Sequence, residues 1–385
     1  MPWVVAGVAG VVAVAVTATT FAVSRPTDSI GSSGAFRPTP TPPIMTEHGT
    51  VEFVLPEEKI VAIDEPSFRE TERVRDLTDE EPVLSVEVGD DARAYPLRYL
   101  IFHEIVNDVV GGDPLVVTYC PLCNTGIAFR RPRVGGHVLD FGVSGRLLNG
   151  NLVMVDRQTS SLWSQALGEA VSGELEGRRL EFVPAQIVGW SQWRRANPVG
   201  RVLAEPEVAG LPRGGQVPYG ANPYAGYDRT RRPPIDADRL DHRLRPTARL
   251  LAVGTGPDPV AVPYRTLRRH AVGGRAAIVT RVGGSPAVVL WQRGTTSVID
   301  AGRVEDSRDV GAAMAYSPVL EGRRVSIEAT PRGFVDRETS SRWTIFGRAV
   351  SGPLRGSRLE PLVAVDHLWF EWAAFHPDAR VIGVR

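Results

Sequence analysis

Asp156-Arg157-Gln158-Thr159-Ser160-Ser161-Leu162-Trp163 returns 180 residues later as Asp336-Arg337-Glu338-Thr339-Ser340-Ser341-Arg342-Trp343. Ala170-Val171-Ser172-Gly173 returns as Ala349-Val350-Ser351-Gly352, and Trp190, Trp193 and Pro198 keep step with Trp369, Trp372 and Pro377. Upstream, Gly111-Gly112-Asp113-Pro114 aligns with Gly283-Gly284-Ser285-Pro286. One block can recur by chance. An ordered series cannot, and it marks a duplicated unit.

The unit reads as β-rich. Residues 84–88, 115–119, 138–143, 152–155 and 187–190 form short runs that alternate or carry β-branched residues, bounded by Gly, Pro, Asn or Asp. Gly135-Gly136 between two such runs predicts a tight hairpin turn. Short helices are predicted at 97–102 and 191–196, and the pattern repeats from about residue 250 to the end. The expected fold class is α+β, β-dominated, in two diverged tandem copies. The first copy takes residues 48–205 and the second, degenerate copy 249–385. Residues 206–248, rich in Pro, Gly, Arg and Tyr, form a crossover linker too long for a hairpin loop.

Residues 3–23 contain no charge and no proline. That run is long enough to cross a bilayer as a helix, which takes about 20 residues. A transmembrane anchor over 1–23 is therefore expected, with a cleaved signal at Ala13-Val14-Ala15 as the alternative. Arg25, the nearest basic residue, follows the span and read literally would place the bulk of the chain inside. A single arginine is weak evidence for that topology. Residues 24–47, with Gly31-Ser32-Ser33-Gly34 and Pro38-Thr39-Pro40-Thr41-Pro42-Pro43, bury almost nothing and suit an extended spacer. A folded body held off the cell membrane on its extracytoplasmic side is expected, or a secreted one if the segment is cleaved. Basic and acidic residues balance at 44 each, so no net field draws the chain to nucleic acid. Lys59 is the only lysine, a bias that reflects genome composition rather than phosphate binding.

Cys120 and Cys123 are the only cysteines, so no second pair exists to build a disulfide framework. A strand ending in Cys-Pro-x-Cys suits a reversible disulfide, two thiolate ligands for copper or zinc, or a structural staple. Haem attachment is excluded, because Asn124 stands where a histidine must follow the second cysteine. No nucleotide-binding pattern is read. At the aligned positions the second copy has Gln292 and Thr295, so the thiols belong to one copy alone. The metal expectation takes Cys120, Cys123 and His103 as ligands. Asp108, Asn107, Asn124, Asp156, Arg157, Gln165 and Glu169 are candidates for a surrounding shell or ligand pocket. Gln165 and Glu169 are placed nearest, because Ile345 and Arg348 replace them in the second copy. The enzyme alternative makes Cys120 a nucleophilic or redox thiol with His103 as base and Asp108 orienting it. A third alternative is a ligand-binding or structural module whose cysteines form a disulfide. The Asp-Arg-x-Thr-Ser-Ser-x-Trp blocks read as turn caps, and Trp163, Trp190 and Trp193 as core.

His103-Glu104-Ile105-Val106-Asn107-Asp108, Thr118-Tyr119-Cys120-Pro121-Leu122-Cys123-Asn124 and Phe141-Gly142-Val143-Ser144-Gly145 carry a family resemblance. So do Ser161-Leu162-Trp163-Ser164-Gln165, Asn222-Pro223-Tyr224 and Trp369-Phe370-Glu371-Trp372-Ala373-Ala374-Phe375-His376-Pro377. Together they resemble a prokaryotic family, domain of unknown function 3179, from about Thr78 onward. The resemblance implies an extracytoplasmic β-rich domain and names no reaction, substrate or protein partner.

Overall fold

The structure, a computed structural model, describes residues 42–207, 219–233, 239–255 and 258–383. Strand makes up 44% and helix 11%, in several sheets, so the β-dominated class is observed. The predicted anchor over 1–23 and most of the spacer lie outside the described residues. Among those described, no helix is long and apolar enough to cross a membrane. The folded part begins inside the predicted spacer, since Ile44–Thr46 is already a strand paired with Gly49–Phe53.

Pro82–Val88, Asp113–Cys120, Asn151–Asp156 and Ala185–Gly189 occupy predicted strand positions. The run predicted over 138–143 is divided between His137–Val138, which pairs with Arg133–Val134, and Phe141–Leu148. Gly135 and Gly136 make the intervening turn at φ +58° and +88°, the left-handed pair that matches strand twist. Helices stand at both predicted places, as Leu97–His103 and Trp190–Ala196, and two more are Tyr264–Arg269 and Trp369–Phe375.

Up to Leu203 the strands form three main sheets. Ala185–Gly189, Pro82–Val88, Asp91–Pro96, Arg201–Leu203 and Phe68–Glu70 lie in that order, with Arg201–Leu203 parallel to Asp91–Pro96. Glu181–Val183, Thr125–Arg130, Asp113–Cys120 and Ile105–Val110 make the second. The N-terminal hairpin extends a third, through Phe141–Leu148, Asn151–Asp156, Leu162–Ser164 and Glu169–Ser172.

Beyond residue 248 the orders run alike. Ala364–Leu368, Arg249–Val253, Val260–Pro263 and Arg380–Val381 form one sheet, with Arg380–Val381 parallel to its neighbour as Arg201–Leu203 is to Asp91–Pro96. Arg275–Val282, Ser285–Gln292 and Ala312–Tyr316 form another, and Ile327–Thr330, Gly333–Asp336, Arg342–Trp343 and Ala349–Ser351 the third. Asp156 accepts from Thr159 N (2.7 Å), Thr159 Oγ1 (2.8 Å) and Trp163 Nε1 (2.9 Å). Asp336 accepts from Thr339 N (2.6 Å), Thr339 Oγ1 (2.8 Å) and Trp343 Nε1 (2.9 Å). Each Asp-to-Trp block is thus a closed bracket around a turn. Its aspartate satisfies a turn N–H and an indole that burial would otherwise strand.

The two halves share their core. Ala185–Gly189 packs on Ala312–Tyr316, and Ala364–Leu368 packs on Thr125–Arg130, so the edge strand of each half covers a sheet of the other. One apolar cluster joins Leu84, Tyr119 and Phe129 to Val298, Leu368 and Phe370. The approach is close enough that a Cβ at Gly189 would lie 2.0 Å from Gly294 O. Asp113–Cys120 is buried from Leu115 to its end on both faces, which explains its unbroken apolar run.

Candidate functional site

The Asp113–Cys120 strand ends in a turn, and Cys120 is already paired with Thr125 of the returning strand. Cys123 N donates to Cys120 O at 3.3 Å, closing a four-residue turn. Pro121 suits its second position because the ring fixes φ there. Asn124 follows at φ +52°, a conformation its amide tolerates, and Tyr119 Oη donates to its Oδ1 at 3.3 Å. The spacing Cys-Pro-x-Cys therefore places both sulfurs at the corners of one turn. Both are free thiols, 2% and 0% exposed.

The surroundings hold the turn rigidly. Cys123 Sγ donates to Gly150 O at 3.1 Å, and Thr125 Oγ1 donates to Cys123 O at 3.2 Å. Gln165 Nε2 donates to Thr118 Oγ1 (2.9 Å) and Thr125 O (3.0 Å), while its Oε1 accepts from Asn151 Nδ2 at 3.0 Å. Burial holds the Cys123 thiol well above the usual thiol range, and the Cys120 sulfur and Glu371 carboxylate push it the same way. Tyr227 lies near enough for a charge on either sulfur to act on its phenol, and its buried hydroxyl has no hydrogen-bond partner among the described residues. Glu104 is buried too, and burial alone lifts its carboxyl to about 8.

The second half supplies the facing wall. Leu368 N donates to Cys123 O at 2.9 Å, which seats the start of the Trp369–Phe375 helix against the turn. His367 Nδ1 lies 2.7 Å from Glu371 Oε2 and 3.4 Å from Thr125 Oγ1. Glu371 is fully buried, and its Oε1 has no partner among the described residues.

His367 and Glu371 also line a cleft of about 420 Å³ between the halves, walled by Phe182, Trp372 and Phe375. Across it stand His48, Glu169 and Arg179, with Arg179 Nη2 2.9 Å from Glu169 Oε2. Burial, with the charge of His367, lowers His376 in the same cleft to about 4. Ligand atoms of Glu47, His48 and Glu169 all fall within 4.8 Å of one another, which makes them a candidate group for a cation.

The expected set of Cys120, Cys123 and His103 is not assembled as a three-ligand group among the described residues. His103 Nδ1 meets Val61 O at 2.8 Å and Nε2 meets Tyr219 Oη at 2.7 Å, so both ring nitrogens are occupied elsewhere. The reason is local: His103 ends its helix with its ring between Val61 and Tyr219, while Glu104, at φ +58°, redirects the backbone. Asp108 does not orient His103 either. It accepts from Arg93 Nη1 at 2.6 Å and Tyr95 Oη at 2.6 Å. Asn107 bonds Asp64 and both backbone polar groups of Phe141. Asp156 is used up in its bracket, and Arg157 pairs with Glu58 and Asp64. Gln165 and Asn124 do adjoin the thiol turn, and Glu169 faces the cleft. His367, Glu371, Tyr227 and His48 carried no sequence argument. The residues aligned with 367 and 371 are Val188 and Gln192, so a search for titratable groups on one side only of the alignment would have found both.

The chain belongs to the family described as Protein of unknown function (DUF3179), whose profile matches residues 57–379. No curated protein and no solved structure matches it.

Proposed function

We propose that this chain is an extracytoplasmic, membrane-held dithiol protein in which Cys120 and Cys123 cycle between dithiol and disulfide. One observation carries the reading: the only two cysteines are unbridged and sit at the corners of a single hydrogen-bonded turn. Both thiols are buried, so the partner must reach the turn; Cys120 then attacks a disulfide of an exported protein or small molecule and forms a mixed disulfide. Cys123 then attacks the Cys120 sulfur and releases the second partner thiol, so two thiol protons and two electrons pass to the partner.

The chain as two copies of one unit, with the site on the first, is part of the same proposal. Matching strand orders and the paired Asp-Trp brackets support it. The competing assignment, thiolates as copper or zinc ligands, is weakened by the engagement of His103 elsewhere. A ligand-binding module is the second reading, favoured by the cleft between the halves.

Alkylation of the native protein before and after mild oxidation with a small disulfide tests the proposal. Loss of both thiols with no gain in mass, reversed by reduction, is the expected result. Persistence of both thiols after prolonged oxidation rejects the redox reading, and one metal ion per chain lost in Cys120→Ser moves the assignment to metal.

A further inference from the structure

We infer that Glu371, from the second half, accepts the proton of Cys123 and passes it through His367 to the cleft. The inference rests on the dithiol reading and adds to it a relay that the first half does not contain.

The observations converge on one carboxylate. Glu371 is fully buried with Oε1 unpartnered among the described residues, an arrangement that costs free energy unless a donor reaches it. Its other oxygen, Oε2, is 2.7 Å from His367 Nδ1, and both residues line the cleft. The Leu368 N–H bond to Cys123 O, at 2.9 Å, fixes this helix start on the thiol turn. The aligned contact in the molecule shows what the position faces. Gln192, which aligns with Glu371, accepts through Oε1 from Thr295 Oγ1 at 3.4 Å, and Thr295 aligns with Cys123. At the aligned positions the molecule thus pairs an amide with a hydroxyl in one place and carries a carboxylate and a thiol in the other, where Cys123 Sγ at rest donates to Gly150 O at 3.1 Å.

The chemistry needs such a group. Cys123 is 0% exposed, so its proton has no direct route to water when the sulfur attacks the mixed disulfide. When the thiol turns from Gly150 O, Glu371 takes its proton on Oε1, and His367 exchanges it with the cleft, where the released partner thiolate collects it. No proton is gained or lost overall. The other titratable groups facing the relay are Cys120 and Tyr227 on the thiol side, with His376, His48 and the Glu169–Arg179 pair on the cleft side.

The test follows release of the second thiol equivalent from a small aromatic disulfide by the full chain, across pH. Glu371→Gln installs the side chain found at the aligned position, so it is compatible with the fold. Its closure step should slow roughly tenfold or more at neutral pH, as for loss of a general base, with the profile displaced to higher pH. Glu371→Asp should restore part of the rate, and His367→Asn should slow the step with Glu371 intact. Unchanged rate and profile in Glu371→Gln, with the native protein cycling, overturn the relay alone. A native protein that never releases the second equivalent overturns the dithiol reading and the relay with it.

Discussion

Trp163 donates its indole N–H to Asp156 Oδ2 over 2.9 Å, seven residues back along the chain and fully buried. Trp343 and Asp336 repeat the bond at the same 2.9 Å. Each aspartate also holds its turn threonine, so one side chain ties a turn to the core. Asp156→Ala and Asp336→Ala should each lower unfolding free energy by about 2–4 kcal/mol, because a buried indole N–H and a turn amide lose their acceptor. Urea unfolding measures both. A loss under about 0.5 kcal/mol at either site would show that the bracket does not stabilise its turn.

Glu104 gives stability a pH dependence of one sign. Its folded carboxyl titrates at about 8 against an ordinary 4.5, through burial. Below the lower value both states are protonated and nothing is gained or lost. Between the two, the unfolded chain ionises while the folded one stays neutral, so stability falls as pH rises. Glu104→Gln should flatten that fall and leave the variant more stable than the native protein at about pH 8. Denaturation midpoints at several pH values check it, and parallel curves for the two proteins refute it.

His376 acts in the opposite sense. Burial and His367 lower it from 6.5 to about 4, so the folded state holds it neutral where the unfolded chain takes up a proton. The stability is complete above 6.5 and is lost as pH falls toward 4. His376→Asn should reduce the acid sensitivity of the thermal midpoint across that window. An unaltered acid limb would show that His376 titrates normally.

The topology proposal predicts that alkaline phosphatase fused after Glu47 is active and that a cytoplasmic reporter at the same point is not. The reverse pattern places the thiol site in the cytoplasm, where a Cys-x-x-Cys pair meets a reducing pool.

Much of the fold was readable because its signals are local. The run from Leu115 to Tyr119, the paired glycines at 111–112 and 135–136, and the Asp-to-Trp blocks each specify backbone geometry over fewer than ten residues. The division of residues 138–143 into two strands was not read, since Asp140, which falls at the break, fits equally well as the polar member of one alternating strand. The candidate site was legible in part. Two cysteines three apart must lie together on a turn, and Gln165 does brace that turn from the turn that follows Leu162–Ser164.

By itself the sequence determined the β-rich class, the recurring series of blocks and the closeness of Cys120 to Cys123, all set by chemistry between near neighbours in the chain. Only the tertiary structure decided what those thiols face. His103 is 17 residues from Cys120, yet its ring is committed to Val61 and Tyr219. His367 and Glu371 are more than 240 residues away, and they reach the turn because the Ala364–Leu368 strand packs on Thr125–Arg130. Spacing fixes contacts within a turn or hairpin. Contacts between halves depend on how two apolar surfaces dock, a property of the folded shapes that no short motif encodes.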